Sequence, residues 1–517
     1  MQDIIMNALD YPILTLTTFL PLIGVLFILF MRKDKVIKWI ALITTIATFS
    51  VSLPLYKYFD KTTYKMQFVE IHPWIPMWDI MYKVGVDGIS ILFIILTTIL
   101  SILCVTVSWK AIQHKVKEFF VSLLIIETAM IGIFVSLNIF LFYLFWELML
   151  IPMFLLIGVW GGPNRIYAAI KFVLFTLAGS VFMLIGIIVL YIIGGETLDI
   201  LALSRVQYPF ALQAWLFFGF FAAFAVKVPM FPVHTWLPDA HTEAPTAGSV
   251  ILAGILLKMG AYGFLRFSLP MFPDATRAFL VPMLVLSVAA ILYGAYVTLM
   301  QKDLKRLIAY SSVSHMGFVT LGIFTLNKTG VEGGILQMIN HGIVTGALFL
   351  CVGIIYERTH TRMIEDYGGL AKSVPVYAVF FTIFTLAAIG FPGMNAFIGE
   401  FLIISGAFKM KTVLGILSIW GVVLGVMYMA WMYYRVVLNE VNPKIRSHLL
   451  DMDFREIITL VPLVFLVFLI GVQPEVLLSY MHTSVDHLLE QVNAQGVEVF
   501  TVSDSIKLLA QYIKEIF

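Results

Sequence analysis

An all-α integral membrane protein of about fourteen transmembrane helices is the fold class this sequence predicts, and three observations predict it. Of 517 residues, 61% are hydrophobic and only 12% charged, against roughly 25% charged in soluble domains. The apolar residues fall in runs of about twenty, the length a helix needs to cross the hydrocarbon core of a bilayer. The 36 glycines and 20 prolines are spread among those runs, as in membrane helices that break and pack closely.

In chain order, runs near 12–30, 37–56 and 86–108 form an N-terminal group within 1–118. Runs near 119–137, 138–160, 167–194, 210–230 and 246–269 form a first set of five within 119–270. A second set within 271–440 holds runs near 279–300, 305–326, 333–356, 374–391 with a continuation to 410, and 413–438. The last run, 457–480, opens a C-terminal part, 441–517, that turns polar after 481. There Ser503-Asp504-Ser505 precedes Ile506, Leu509, Ile513 and Ile516 at helical spacing. This spacing predicts a short amphipathic helix on the membrane surface or against a neighbouring chain. The first run follows Asp3 and Asp10 with no basic residue and no small-residue cleavage site after it, so it reads as a retained span.

Two helices are predicted to break. Pro229 and Pro232 interrupt the seventh directly after Lys227, and Pro392-Gly393 interrupts the twelfth shortly before Glu400. Proline removes a backbone donor and clashes with the preceding turn, and carbonyls freed at membrane depth are tolerated only against protein or water. The breaks lie five helices apart, and paired broken helices in two halves are the pattern of inverted repeats with a transport site between them. Counting Lys and Arg in the connectors, about 19 against about 12, places both termini on the outer side.

Much is excluded. A net charge of +2 leaves no footprint for nucleic acid. The two cysteines, Cys104 and Cys351, each lie inside an apolar run, with no spacing for zinc or an iron–sulfur cluster. There is no glycine-rich dinucleotide fingerprint and no Walker motif. No cofactor or metal is expected in this chain, so its energy source must be another subunit or an ion gradient.

Ionisable residues in mid-span are costly and are functional candidates by default. Glu147 lies in FLFYLFWELMLIPMF, Lys227 in FFAAFAVKVPMFP, Lys258 in ILAGILLKMGAYG and Glu400 in FPGMNAFIGEFLII. Lys171, near a helix start, reads as a lysine whose stem reaches the headgroups. Lys258 is too deep for that, and the Glu147 side chain too short. A lysine kept charged at mid-depth by a nearby carboxylate releases its proton when the two separate and regains it when they meet. His315 and His341 sit among Ser311, Ser312, Ser314, Gln337 and Asn340, a setting for a hydrated polar track with stations that titrate near neutral pH. Glu127 and Asp87 are lesser candidates. His234, Asp239, His241 and Glu243 follow the seventh-helix break, where loop fixing and a part in proton uptake both remain open.

Four stretches, FYLFWELMLIPMFLLIGVWG, KVPMFPVHTWLPDAHTEAPTAGSVILAGILLKMGAYG, DLKRLIAYSSVSHMGFV and GFPGMNAFIGEF, resemble the antiporter-like membrane subunits of NADH:quinone oxidoreductase, respiratory complex I, and the resemblance runs along almost the whole chain. It implies fourteen helices with two inverted five-helix repeats, broken helices seven and twelve, and a chain of charges along the membrane midplane. Glu147 would pair with Lys227, Lys258 would connect onward, and His315, His341 and Glu400 would complete the axis. It further implies a subunit of a proton-translocating enzyme in the bacterial inner membrane. FMN, iron–sulfur clusters and quinone would be held by partner subunits, and other membrane-arm subunits and lipid would surround the chain. A multi-subunit sodium/proton antiporter and a purely structural scaffold are the alternatives.

Overall fold

The computed structural model describes residues 3–75, 77, 80–442 and 449–493. Among these, thirteen helices are long and apolar enough to cross a membrane: Ile13–Phe30, Asp34–Tyr58, Ile91–Ala111, Val116–Val135, Ile139–Trp160, Arg165–Ile193, Phe210–Lys227, Thr246–Met271, Leu280–Leu299, Leu304–Phe324, Lys328–Thr359, Thr412–Leu438 and Phe454–Val472. The remaining span, twelfth in chain order, is broken into Pro375–Ala388 and Asn395–Met410. The seventh is broken as expected: it ends at Lys227, and a short helix resumes at Trp236–Glu243.

Several spans start on capping side chains. Asn138 accepts hydrogen bonds from the Phe140 and Leu141 amides as the fifth span starts, and Asp303 from Lys305 and Arg306 at the tenth. Asp453 and Glu456 form a reciprocal capping box on the last. Each cap satisfies donors a helix start leaves open, a contribution of about 1 kcal/mol.

One face of the bundle carries a small sheet the sequence reading left as connector. Strands β1 (Ile4–Met6), β2 (Met66–Ile75) and β3 (Ile80–Val86) lie in that order, β1 parallel and β2 antiparallel to the next. Glu70 on β2 anchors the sheet, its carboxylate accepting from the Leu14 amide at 2.8 Å and the Thr15 amide at 3.1 Å, where a helix N-terminus favours negative charge. The predicted run 457–480 is not one helix. The last span stops at Val472, and beyond Gln473-Pro474 a separate helix, Glu475–Asn493, buries Leu478, Met481, Val485, Leu488 and Val492. Pro474 cannot donate to the preceding turn, so the chain bends onto the sheet face, where the Ser484 hydroxyl accepts from the Gly88 amide at 3.1 Å. The predicted amphipathic helix of 503–516 lies outside the described residues.

The eighth and eleventh spans are wholly inside the bundle, with 100% of their apolar windows buried, against 33% for Thr412–Leu438. These two are the internal axis, and the eighth is irregular along it. π-helical turns at Leu252–Leu256 and Phe264–Ser268 flank the turn that carries Lys258; such turns recur at functional positions. Gly260 lets the seventh span approach, since a Cβ there would lie 2.7 Å from the Phe224 carbonyl oxygen.

Candidate functional site

Four of the predicted residues form one buried row. The Lys258 ammonium contacts the Ala253 carbonyl and lies 2.7 Å from His341 Nδ1. The His341 and His315 ring centroids are 5.8 Å apart, and His315 Nδ1 lies 3.3 Å from Glu400 Oε1. Gln337 donates to the same carboxylate oxygen at 3.2 Å, and the Tyr428 hydroxyl stands 3.5 Å from His315 Nε2. The row runs from the eighth span through the eleventh and tenth to the second half of the twelfth. Lys258 is 0% exposed and Glu400 5%, so neither exchanges protons directly with bulk water.

The broken twelfth helix positions Glu400. Gly390, at φ +75, and Gly393, at φ +88, turn the chain in a region few other residues adopt, and the new helix starts at Asn395. A Cβ on Gly390 would stand 2.7 Å from Glu400 Oε2, so the break brings backbone against the carboxylate. Asn340 donates to the Asn395 carbonyl at 2.8 Å and covers one acceptor the break exposes.

Lys227 and Glu147 make a second cluster. Lys227 is the last residue of its helix and 1% exposed, with its ammonium 5.1 Å from the Trp146 ring centroid and 5.8 Å from that of Phe172. Aromatic faces and the negative end of the helix dipole both favour a cation there. Glu147 is the carboxylate whose field Lys227 feels, yet they form no hydrogen bond: Lys227 Nζ and Glu147 Oε1 are both buried without a partner.

Several unsatisfied polar atoms lie along the same line: Glu147 Oε1, Lys227 Nζ, His341 Nε2, Gln337 Oε1, Asn340 Oδ1 and both side-chain atoms of Asn395. A buried polar atom left unpaired costs about 1–3 kcal/mol, and water is what settles such atoms in a polar, roomy site. The arrangement is suited to passing protons among lysine, histidine and carboxylate through intervening water.

Residues after the seventh-helix break divide. Asp239 is held by Lys171 at 2.7 Å and Arg306 at 3.3 Å, so Lys171 spends its charge on an ion pair and not on the headgroups. Glu243 accepts from the Asn164 amide at 2.9 Å and faces Arg362 at 3.8 Å. Both acids fix the loop. His241 is different: 0% exposed, with both ring nitrogens unpartnered, it stacks on Phe349 at 4.7 Å and lies within the fields of Lys305 and Lys258. His234 also has both ring nitrogens free of partners. On the face opposite the sheet, a cavity of about 410 Å³ is lined by Lys110, Trp160, Glu243, Lys305, Glu357 and Arg362 among others. Asp87 pairs with Arg266 at 2.7 Å and accepts from the Ile89 and Ser90 amides, a structural role.

Trp146, Lys305, Asn395 and Tyr428 escaped the sequence reading. Asn395 was detectable, as a polar residue directly behind the Pro392-Gly393 break. The other three become visible only when distant helices meet.

The family described as NADH:quinone oxidoreductase/Mrp antiporter, TM, matches residues 136–427. NADH-quinone oxidoreductase subunit M of Rhodobacter capsulatus is 48% identical over 501 residues, covering 93% of this chain and 97% of that protein. NADH-ubiquinone oxidoreductase chain 4 of Marchantia polymorpha is 47% identical over 474 residues, covering 91% and 96%. A chain of respiratory complex I from Thermus thermophilus with bound NADH superposes at a TM-score of 0.86 and 30% identity, over 93% of this chain and 99% of that one. A chain of the Mrp complex from Dietzia shares the fold, with a TM-score of 0.81 at 19% identity over 95% and 100%. The chain therefore belongs to the NADH:quinone oxidoreductase/Mrp antiporter transmembrane family, with NADH-quinone oxidoreductase subunit M and NADH-ubiquinone oxidoreductase chain 4 among its members.

Proposed function

We propose that this chain is a proton-translocating membrane-arm subunit of NADH:quinone oxidoreductase. The observation that carries the reading is the row Lys258, His341, His315, Glu400 inside the bundle, with contacts of 2.7 Å at one end and 3.3 Å at the other and 5.8 Å between the two imidazole centroids. Electron transfer belongs to partner subunits, which hold FMN, the iron–sulfur clusters and the quinone. What this chain supplies is the path.

In this reading Lys227 is a proton donor held charged by Glu147, the Trp146 face and its helix end. When Glu147 is drawn away or loses its charge, Lys227 passes its proton toward Lys258. From there the proton moves to His341, which can accept it at Nδ1, then across to His315 and to Glu400. In this reading water bridges the links the side chains do not close, a role supported by the gap between Lys227 and Glu147 and by the unpaired atoms along the row. Protons enter from the face opposite the sheet, through the cavity beside Lys305 and past His241, and leave near the broken twelfth helix. The sheet and both termini then lie on the outer side of a bacterial inner membrane. The units 119–270 and 271–440 act as inverted five-helix repeats, each contributing one broken helix beside one charge.

The test is a complex purified through a tag on this chain and placed in liposomes, wild type beside Glu147→Gln. NADH with quinone is expected to drive proton uptake in the wild type and not in the variant. An inactive complex with NADH that moves protons under an imposed sodium gradient would replace this reading with a sodium/proton antiporter.

A further inference from the structure

Every station of the proposed path lies on spans five, seven, eight, ten, eleven and twelve or in the seventh-span break. One mid-depth acid does not. Glu127 sits at the centre of the fourth span, Val116–Val135, is 1% exposed, and has neither carboxylate oxygen hydrogen-bonded. The Ser101 side chain faces it without closing a well-formed bond, and the Cys104 thiol lies within its field. Among the described residues no basic side chain pairs with it. The Thr128 hydroxyl beside it in sequence is also buried and unpartnered. An unpaired buried carboxylate in a membrane interior costs free energy that water can offset.

The third span supplies a route for that water. Ser101, Cys104 and Ser108 recur at a spacing of three and four, which places them on one face of Ile91–Ala111. They are 6%, 1% and 3% exposed. The Cys104 thiol lies 3.7 Å from the Ala247 carbonyl of the eighth span, and Thr246 next to it lines the 410 Å³ cavity together with Lys110, Ala111 and Ile112 at the end of the third span. This face runs from beside the cavity-lining end of the span toward Glu127, with the Ser108 hydroxyl donating to the Cys104 carbonyl at 2.7 Å and its lone pairs left to accept. Leu100 packs between the third and eighth spans, where a Cβ on Gly254 would meet its side chain at 2.5 Å.

We propose that Glu127 is a proton-exchanging site, a side branch open to the cavity through water held along Ser108, Cys104 and Ser101. Water or hydronium delivers a proton to a carboxylate oxygen and takes it back along the same file, with only O–H bonds made and broken there, while the Cys104 thiol trades its S–H hydrogen for one from the same water. The proposal deepens the reading of this chain as a proton carrier and rests on it, but its test does not depend on turnover.

The intact reconstituted complex at rest is moved from H₂O to D₂O and followed by infrared spectroscopy. The S–H band lost in Cys104→Ser reports Cys104, and the carboxyl band lost in Glu127→Gln reports Glu127. Both are expected to exchange as fast as the solvent is replaced, and the double variant Ser101→Ala, Ser108→Val is expected to slow both several-fold. A Cys104 S–H band that persists in D₂O, or exchange that ignores the two serine substitutions, overturns the proposal. The thiol reading leaves Glu127 unchanged, so it decides the matter even where Glu127→Gln fails to assemble. Pumping by Lys258→Ala tests the function separately, so either result can fail alone.

Discussion

Replacing Glu400 by glutamine keeps the shape of the side chain and removes its capacity to take up a proton. Gln337 donates to Glu400 Oε1 at 3.2 Å and His315 Nδ1 stands 3.3 Å from the same atom. A hydrogen bond to a charged group is worth about 1.5–3 kcal/mol and a neutral one about 1 kcal/mol. Weakening the His315 contact by about 1–2 kcal/mol lowers the population in which the two side chains are held together by roughly five- to thirtyfold. The assay is NADH-driven acidification of liposomes holding the purified complex, with assembled complex quantified on the same preparation. Pumping is expected to fall by about that factor or more while assembly is unchanged, and Glu400→Asp is expected to keep part of it. Full pumping by Glu400→Gln would refute the reasoning, because it would show that the proton never resides on this carboxylate.

Gly260→Ala is expected to force the seventh and eighth spans apart, because its Cβ would lie 2.7 Å from the Phe224 carbonyl oxygen and 2.9 Å from the Val228 amide nitrogen; overpacking of this kind costs about 1–3 kcal/mol and is read as a lower thermal midpoint of the complex. Asp303→Ala removes a cap on the Lys305 and Arg306 amides and an ion pair to Arg362 at 3.2 Å, a loss of about 1–2 kcal/mol seen in the same thermal scan with pumping per assembled complex retained. Asp87→Ala leaves Arg266 buried without its partner at 2.7 Å, and a broken buried pair costs about 3–5 kcal/mol, so the yield of assembled complex is expected to collapse.

How far the sequence could be read depended on the range of the physics involved. Spans are local: about twenty apolar residues announce themselves, and Pro229, Pro232 and Pro392-Gly393 announce the breaks because proline acts on its own turn. Strands β2 and β3 were missed because the segment between the second and third spans is interrupted by His72-Pro73, so its alternation was weak. The π-helical turns beside Lys258 depend on how neighbouring helices pack, which no local spacing records. Charges could be picked out one by one, since each is out of place in lipid. Their partners could not: Lys258 and His341 are 83 positions apart, and the ion pair of Lys171 with Asp239 joins segments 68 positions apart. The expectation that Glu147 and Lys227 act together rested on resemblance, and the geometry adds that they stand apart with Trp146 beside the lysine.

The measurement that tests the account most directly is NADH-driven proton pumping by a complex carrying Lys258→Ala, scored against the amount assembled. Lys258 is the 0% exposed residue from which the row to Glu400 begins. The account predicts an assembled complex that has lost most of its pumping. An assembled complex that pumps at the wild-type rate would contradict it and leave these buried charges as scaffold.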